Sequence, residues 1–109
     1  MAGMNTVLLV LVTFPDAEKA RQIGTLMVES QLAACVNLVS GVESIYRWQG
    51  KVETSQEVLA IFKTTQGTWA AFEAKMRELH PYDVPEIVAL RPEQLSDMYG
   101  QWVVNSVAR

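Results

Sequence analysis

The 109-residue sequence predicts an α+β fold of the ferredoxin-like kind, β-α-β-β-α-β with a further helix at the C-terminal end. Three observations carry this. Strand-like and helix-like apolar patterns follow one another in that order within about 90 residues. Two long apolar arms between Cys35 and Thr65 meet at Gln49-Gly50 as a central hairpin, because Gly50 can take the positive φ of a tight turn. Finally, with 50% hydrophobic and 19% charged residues, residues 1–109 suit one ordinary domain and leave no room for a second core.

Asn5 to Thr13 is rich in Val and Leu without alternation, as expected of a central strand covered on both faces, and Pro15-Asp16 ends it. Asp16 then suits the N-cap of a helix reaching Ser30. There Ala20, Ile23 and Met27 share a stripe, with Glu18, Lys19, Arg21 and Gln22 outside it. In the hairpin that follows, Gly41 interrupts the first arm and marks a bulge or bend. The second arm, Val52 to Thr65, contains Val58-Leu59-Ala60-Ile61-Phe62, an unbroken apolar run that calls for cover on both faces. Some 14 residues at roughly 3.3 Å each make an arm of about 45 Å. A chain of this length has a radius of gyration of only about 13 Å, so something beyond one chain is expected to cover the overhang. Thr64 or Thr65 can cap a second helix, on which Trp69, Phe72, Met76 and Leu79 share a face until Pro81 stops it. A short strand, Glu86 to Leu90, begins after Pro85, which has no N–H to give a ladder. A last helix from about Pro92 to Val107 carries Leu95, Tyr99, Trp102 and Val103.

Charge and cysteine usage narrow the setting. A net charge of -3 and a pI near 5.0 lack the basic stripe that nucleic acid requires, and they suit an acidic membrane surface no better. One cysteine, Cys35, rules out an intramolecular disulfide and fits a reducing compartment. The run Val7 to Val12 is far shorter than the ~20 residues that cross a bilayer, and Met1 to Asn5 lacks the basic start of a signal peptide. A cytoplasmic protein is expected. No Ser-His-Asp set, glycine-rich phosphate loop or carboxylate dyad stands at a credible spacing, so the sequence does not read as an enzyme.

Five separated stretches resemble one family. Thr13-Phe14-Pro15-Asp16, Gln31 to Asn37, Tyr46 to Lys51, Phe62-Lys63-Thr64-Thr65 and Leu79 to Ile87 are similar to the CutA proteins, named for divalent-cation tolerance, in order and spacing from about Val7 to Val103. The resemblance implies a ferredoxin-like homotrimer whose hairpins pack across subunits. It also implies a non-enzymatic, metal-linked role: a copper or other divalent-cation tolerance protein that binds metal ions weakly, with no obligatory cofactor. The alternative is a ligand-sensing or scaffolding trimer with intersubunit clefts, like the PII signalling proteins. Copper-binding members of the family carry a thiol in the first strand and paired histidines before the proline. Here the first strand has no cysteine, and Leu79 precedes His80.

The residues themselves offer several sites. Cys35 is a soft ligand for Cu(I) or Zn(II), or else a small core residue. His80, the only histidine, is a metal ligand for Cu(II) or Zn(II) or a cation at a helix end. With one imidazole per chain, a metal site must be shared between subunits, weak, or built of carboxylates. Lys63 falls on the same strand face as Glu57, Leu59 and Ile61. A buried lysine needs a carboxylate or an anion. Lys63, Tyr82 and Trp48 of a neighbour's hairpin are therefore expected to line an intersubunit cleft for a small anion, with Glu57 as ion partner, or to form a structural ion pair at the interface. Tyr46 and Trp48 make an aromatic platform near the tip, and Met1 and Met4 have the spacing of a thioether pair.

Overall fold

Val7–Phe14 forms β1, Ala17–Glu29 α1, Cys35–Trp48 β2 and Lys51–Thr65 β3 in the computed structural model, which describes residues 3–108. Trp69–Leu79 forms α2, Ile87–Leu90 β4 and Asp97–Ser106 α3. The Met1 half of the Met1–Met4 pair lies outside the described residues. The four strands make one antiparallel sheet in the order β2-β3-β1-β4, the expected ferredoxin-like plan.

Register sorts the side chains. β1 pairs with β3 from Val7↔Thr65 to Phe14↔Val58. Val10, Val12 and Phe14 therefore share a face with Val58, Ala60 and Phe62, and α1 and α2 cover that face with Ala20, Ile23, Met27, Phe72 and Met76. Phe62 and Phe72 meet edge to face, with centroids 5.2 Å apart. The opposite face has no helix over it. Leu9, Leu11, Leu59 and Ile61 are only half-buried there, while Val39 and Leu90 keep 43% and 47% of their surface exposed. The two-sided cover expected for Val58 to Phe62 is thus supplied on one side only within a chain.

Asp16 caps α1 as expected, accepting from the Lys19 N–H at 2.8 Å. The second helix starts later than expected, because β3 runs on through Thr65. Thr64 donates to the Leu32 carbonyl at 2.7 Å instead of capping, and Thr65 shares a hydroxyl contact with Thr68. The last helix is also shorter than expected, with Ser96 at its N-cap. It packs Val103 and Val107 onto Val7 and Ala34 at one end of the sheet.

The hairpin is built as read. Gln49 (φ 50°) and Gly50 (φ 80°) both take positive φ, the turn whose twist matches that of the strands. The register passes from Val39↔Leu59 to Val42↔Glu57, so Ser40 and Gly41 oppose Val58 alone, and Gly41 takes φ 80°. Beyond this bulge no third strand flanks the pair. Ile45 and Val52 stand 69% and 66% exposed, on a molecule 43 Å long with a radius of gyration of 14.4 Å. A two-stranded ribbon of this kind is marginal without further cover. Because an L side chain at the Gly41 conformation costs about 1–2 kcal/mol, Gly41→Ala is expected to lower the urea midpoint by that amount at unchanged slope. A midpoint equal to wild type would mean that the bulge relaxes freely.

Candidate functional site

His80 ends α2, and the chain turns beneath it toward β4. Its ring stacks on Phe14, with centroids 4.8 Å apart and planes 19° from parallel. Nε2–H donates to the Thr13 carbonyl at 2.7 Å, and Nδ1 accepts from the Tyr82 N–H at 3.1 Å, which together fix the tautomer. Burial pushes the imidazole below its ordinary 6.5, against the smaller upward pull of the Thr13 carbonyl and the Glu57 charge. The ring is therefore neutral rather than the helix-end cation expected from sequence. A metal ligand needs a free ring lone pair, and both His80 nitrogens are already engaged.

This tie places Tyr82 over β3. The Tyr82 hydroxyl donates to Glu57 Oε2 at 2.7 Å, and burial first, then this carboxylate, pushes the phenol pKa up. Glu57 and Tyr82 stand at the foot of a cleft of about 650 Å³ that runs up the overhanging hairpin. Tyr46 and Trp48 line its upper part, so Trp48 reaches the cleft of its own chain, and no neighbour's hairpin is needed to bring it there. Glu53, Asp83 and Glu86 add three more carboxylates, and the lining holds no Lys, Arg or His.

Three expected members stand elsewhere. Lys63 donates to the Asn37 side chain on the open sheet face, six residues and roughly 20 Å along β3 from Glu57. The expected Glu57–Lys63 ion pair is not formed, and the lysine does not reach the cleft. Cys35 is half-buried rather than in the core, with Sγ 3.5 Å from the Tyr99 hydroxyl. Cys35 pairs with Lys63 and so lies level with Leu9, whereas His80 binds Thr13, four residues or about 13 Å further along β1. Cys35 and His80 do not form a pair within the chain. Among the described residues no three His, Cys, Asp or Glu side chains gather closely enough to hold a metal ion.

Reading the sequence for sites overlooked Glu53, Asp83 and Glu86. Glu53 was within reach, since Glu53, Ser55 and Glu57 alternate on one strand face. Asp83 and Glu86 sit in a turn whose direction depends on the His80 tie.

The fold and the cleft define a class: a ferredoxin-like protein with an overhanging hairpin and an acidic cleft walled by aromatic rings. Comparison with known proteins narrows it. The chain belongs to the family described as CutA1 divalent ion tolerance protein, whose model matches residues 8–106. It is 48% identical to the divalent-cation tolerance protein CutA of Thermus thermophilus over 94 residues, 86% of this chain and 91% of that one. To the chloroplastic CutA protein of Arabidopsis thaliana it is 41% identical over 99 residues, 91% of this chain but 54% of that longer one. The solved structure of the Thermus thermophilus protein superposes with a TM-score of 0.91 at 44% identity, over 94% of this chain and 99% of that one.

Because the folded imidazole of His80 titrates below 6.5, the unfolded chain takes up the proton first as pH falls. Its contribution to stability is complete above about pH 6.5 and declines below it. Thermal unfolding followed from about pH 8 to pH 5 is expected to show this decline, with a shallower slope in His80→Asn. An unchanged slope would assign the decline to other groups.

Proposed function

We propose that this protein works as a homotrimeric divalent-cation tolerance protein that binds metal ions weakly and catalyses no reaction. The observation that carries the reading is the cleft. Glu53, Glu57, Asp83 and Glu86 converge on it with no basic side chain among its lining residues, in a chain whose relatives are named for divalent-cation tolerance. The same lining argues against the small anion expected of a cleft containing Lys63. The carboxylates are spread along the cleft and form no closed cage, so an ion is held loosely, partly through its own water. With oxygen donors the affinity order favours Cu(II) over Zn(II). Cys35 lies apart and is not assigned as a ligand. His80, the one side chain suited to proton transfer near neutrality, is committed to two backbone groups.

The trimer reading rests on the open sheet face. Leu9, Leu11, Leu59 and Ile61 sit half-covered beside exposed Val39, Val88 and Leu90, and the hairpin overhangs without support. Apolar area of this kind is buried by association at roughly 25 cal/mol per Å². The lone cysteine supports a cytoplasmic placement, and among the described residues no helix is long and apolar enough to cross a membrane. No nucleic acid partner is assigned, given the net charge of -3.

Two measurements test these readings. Calorimetric titration at low salt is expected to give weak Cu(II) and weaker Zn(II) binding, diminished in the Glu57→Gln, Glu86→Gln double variant and retained in Cys35→Ala. Loss of binding in Cys35→Ala would move the ion to the thiol. In sedimentation the wild type is expected to be a trimer and Ile61→Lys to dissociate, since a charge buried without a partner is costly. An intact Ile61→Lys trimer would show that association uses another surface.

A further inference from the structure

The lining of the cleft is more specific than a metal reading requires. A divalent ion asks for several oxygens converging on one point, and no such group of three exists among the described residues. What the cleft offers is a row of separated carboxylates between aromatic and apolar walls: Tyr46, Trp48 and Tyr82, with Ile45 and Val84 beside them. Glu57 is only 9% exposed at the foot of the row, and it is held by the Tyr82 hydroxyl. A carboxylate so far withdrawn from water calls for a counter-charge. Yet the ion pairs of the described residues, Lys75–Glu78 and Arg77–Glu73, both lie on α2 and leave Glu57 without one.

We propose that the cleft binds an aliphatic polyamine. This rests on the reading of the cleft as a cation site and names the class of cation. A polyamine spreads its charges along a flexible chain, as the carboxylates are spread along the cleft. Its ammonium groups donate hydrogen bonds to carboxylates and settle over aromatic rings, and its methylenes bury against apolar walls. It is also less strongly hydrated per charge than a divalent ion, so it gives up less water on entering an aromatic-walled groove. At about 650 Å³ the cleft lies in the ordinary range for small-molecule sites.

Calorimetric titration of the full-length protein with spermidine, at low ionic strength and with ZnCl₂ in a parallel arm, tests this. The wild type is expected to bind spermidine more tightly than Zn(II). Trp48→Ala is expected to weaken spermidine binding by about 2- to 30-fold, the fold equivalent of one cation–π contact. Glu57→Gln keeps an acceptor for the Tyr82 hydroxyl, so the fold is expected to survive while affinity falls. Glu43→Gln, outside the cleft, is expected to change nothing. Spermidine binding weakened equally by Glu43→Gln would mark diffuse surface attraction and overturn the proposal. Zn(II) binding sensitive to Glu57→Gln, with no spermidine binding, would overturn the polyamine assignment and keep the cation cleft. Binding of neither would overturn both.

Discussion

The antiparallel pairing of Val7–Phe14 with Val58–Thr65 is the constraint on which the rest of the molecule depends. Side chains alternate across a strand, so fixing this register decides in one step which residues of both central strands meet the helices. Val10, Val12, Phe14, Ala60 and Phe62 go to the core. Leu9, Leu11, Thr13, Leu59, Ile61 and Lys63 go to the other face. A slip of one residue would exchange the two sets and bury Lys63 beneath α1 and α2. The helices add a lid to a decision already made by the ladder.

The bulge at Gly41 modifies that decision in the strand next door. On the inner half of β2 the odd-numbered residues, Cys35, Asn37 and Val39, lie level with Lys63, Ile61 and Leu59. After the extra residue the even-numbered ones, Ser44, Tyr46 and Trp48, lie level with Ser55, Glu53 and Lys51. One inserted residue thus turns Tyr46 and Trp48 to the same side as Glu53 and Glu57. Without it they would point away from the carboxylates, and the cleft would lose its upper wall. Glycine suits the position because it adopts φ near 80° without the penalty a Cβ brings.

His80 joins the helical layer to this arrangement by polar means. A buried imidazole is costly unless both nitrogens are satisfied, and here one donates to the end of β1 while the other accepts from the turn carrying Tyr82. Stacked on Phe14, the ring holds that turn against the sheet, so the Tyr82 hydroxyl falls on Glu57. The lower end of the cleft therefore has the rigidity of the core, whereas its upper end belongs to an overhanging ribbon. The contrast suits a site that must hold a carboxylate in place and still admit a ligand.

The sequence by itself determined the order of elements, the N-cap at Asp16, the turn at Gln49-Gly50, the break at Gly41 and an arm too long for one chain. These are matters of local conformation, of period-two and helical patterning, and of strand length. The family was legible for the same reason, since its motifs are contiguous. Only the tertiary structure decided which distant side chains meet. Lys63 and Glu57 share a strand face, as the alternation indicated, but the pleat keeps them roughly 20 Å apart. Register then gives Lys63 to Asn37, and the His80 turn gives Glu57 to Tyr82. Helix starts moved for a similar reason, because the ladder to β1 carries β3 through Thr65, past the residues that looked able to cap α2. Alternation tells which face a residue takes. It does not tell how far along that face its partner stands, or which loop folds over it, because these follow from pairings between segments many residues apart.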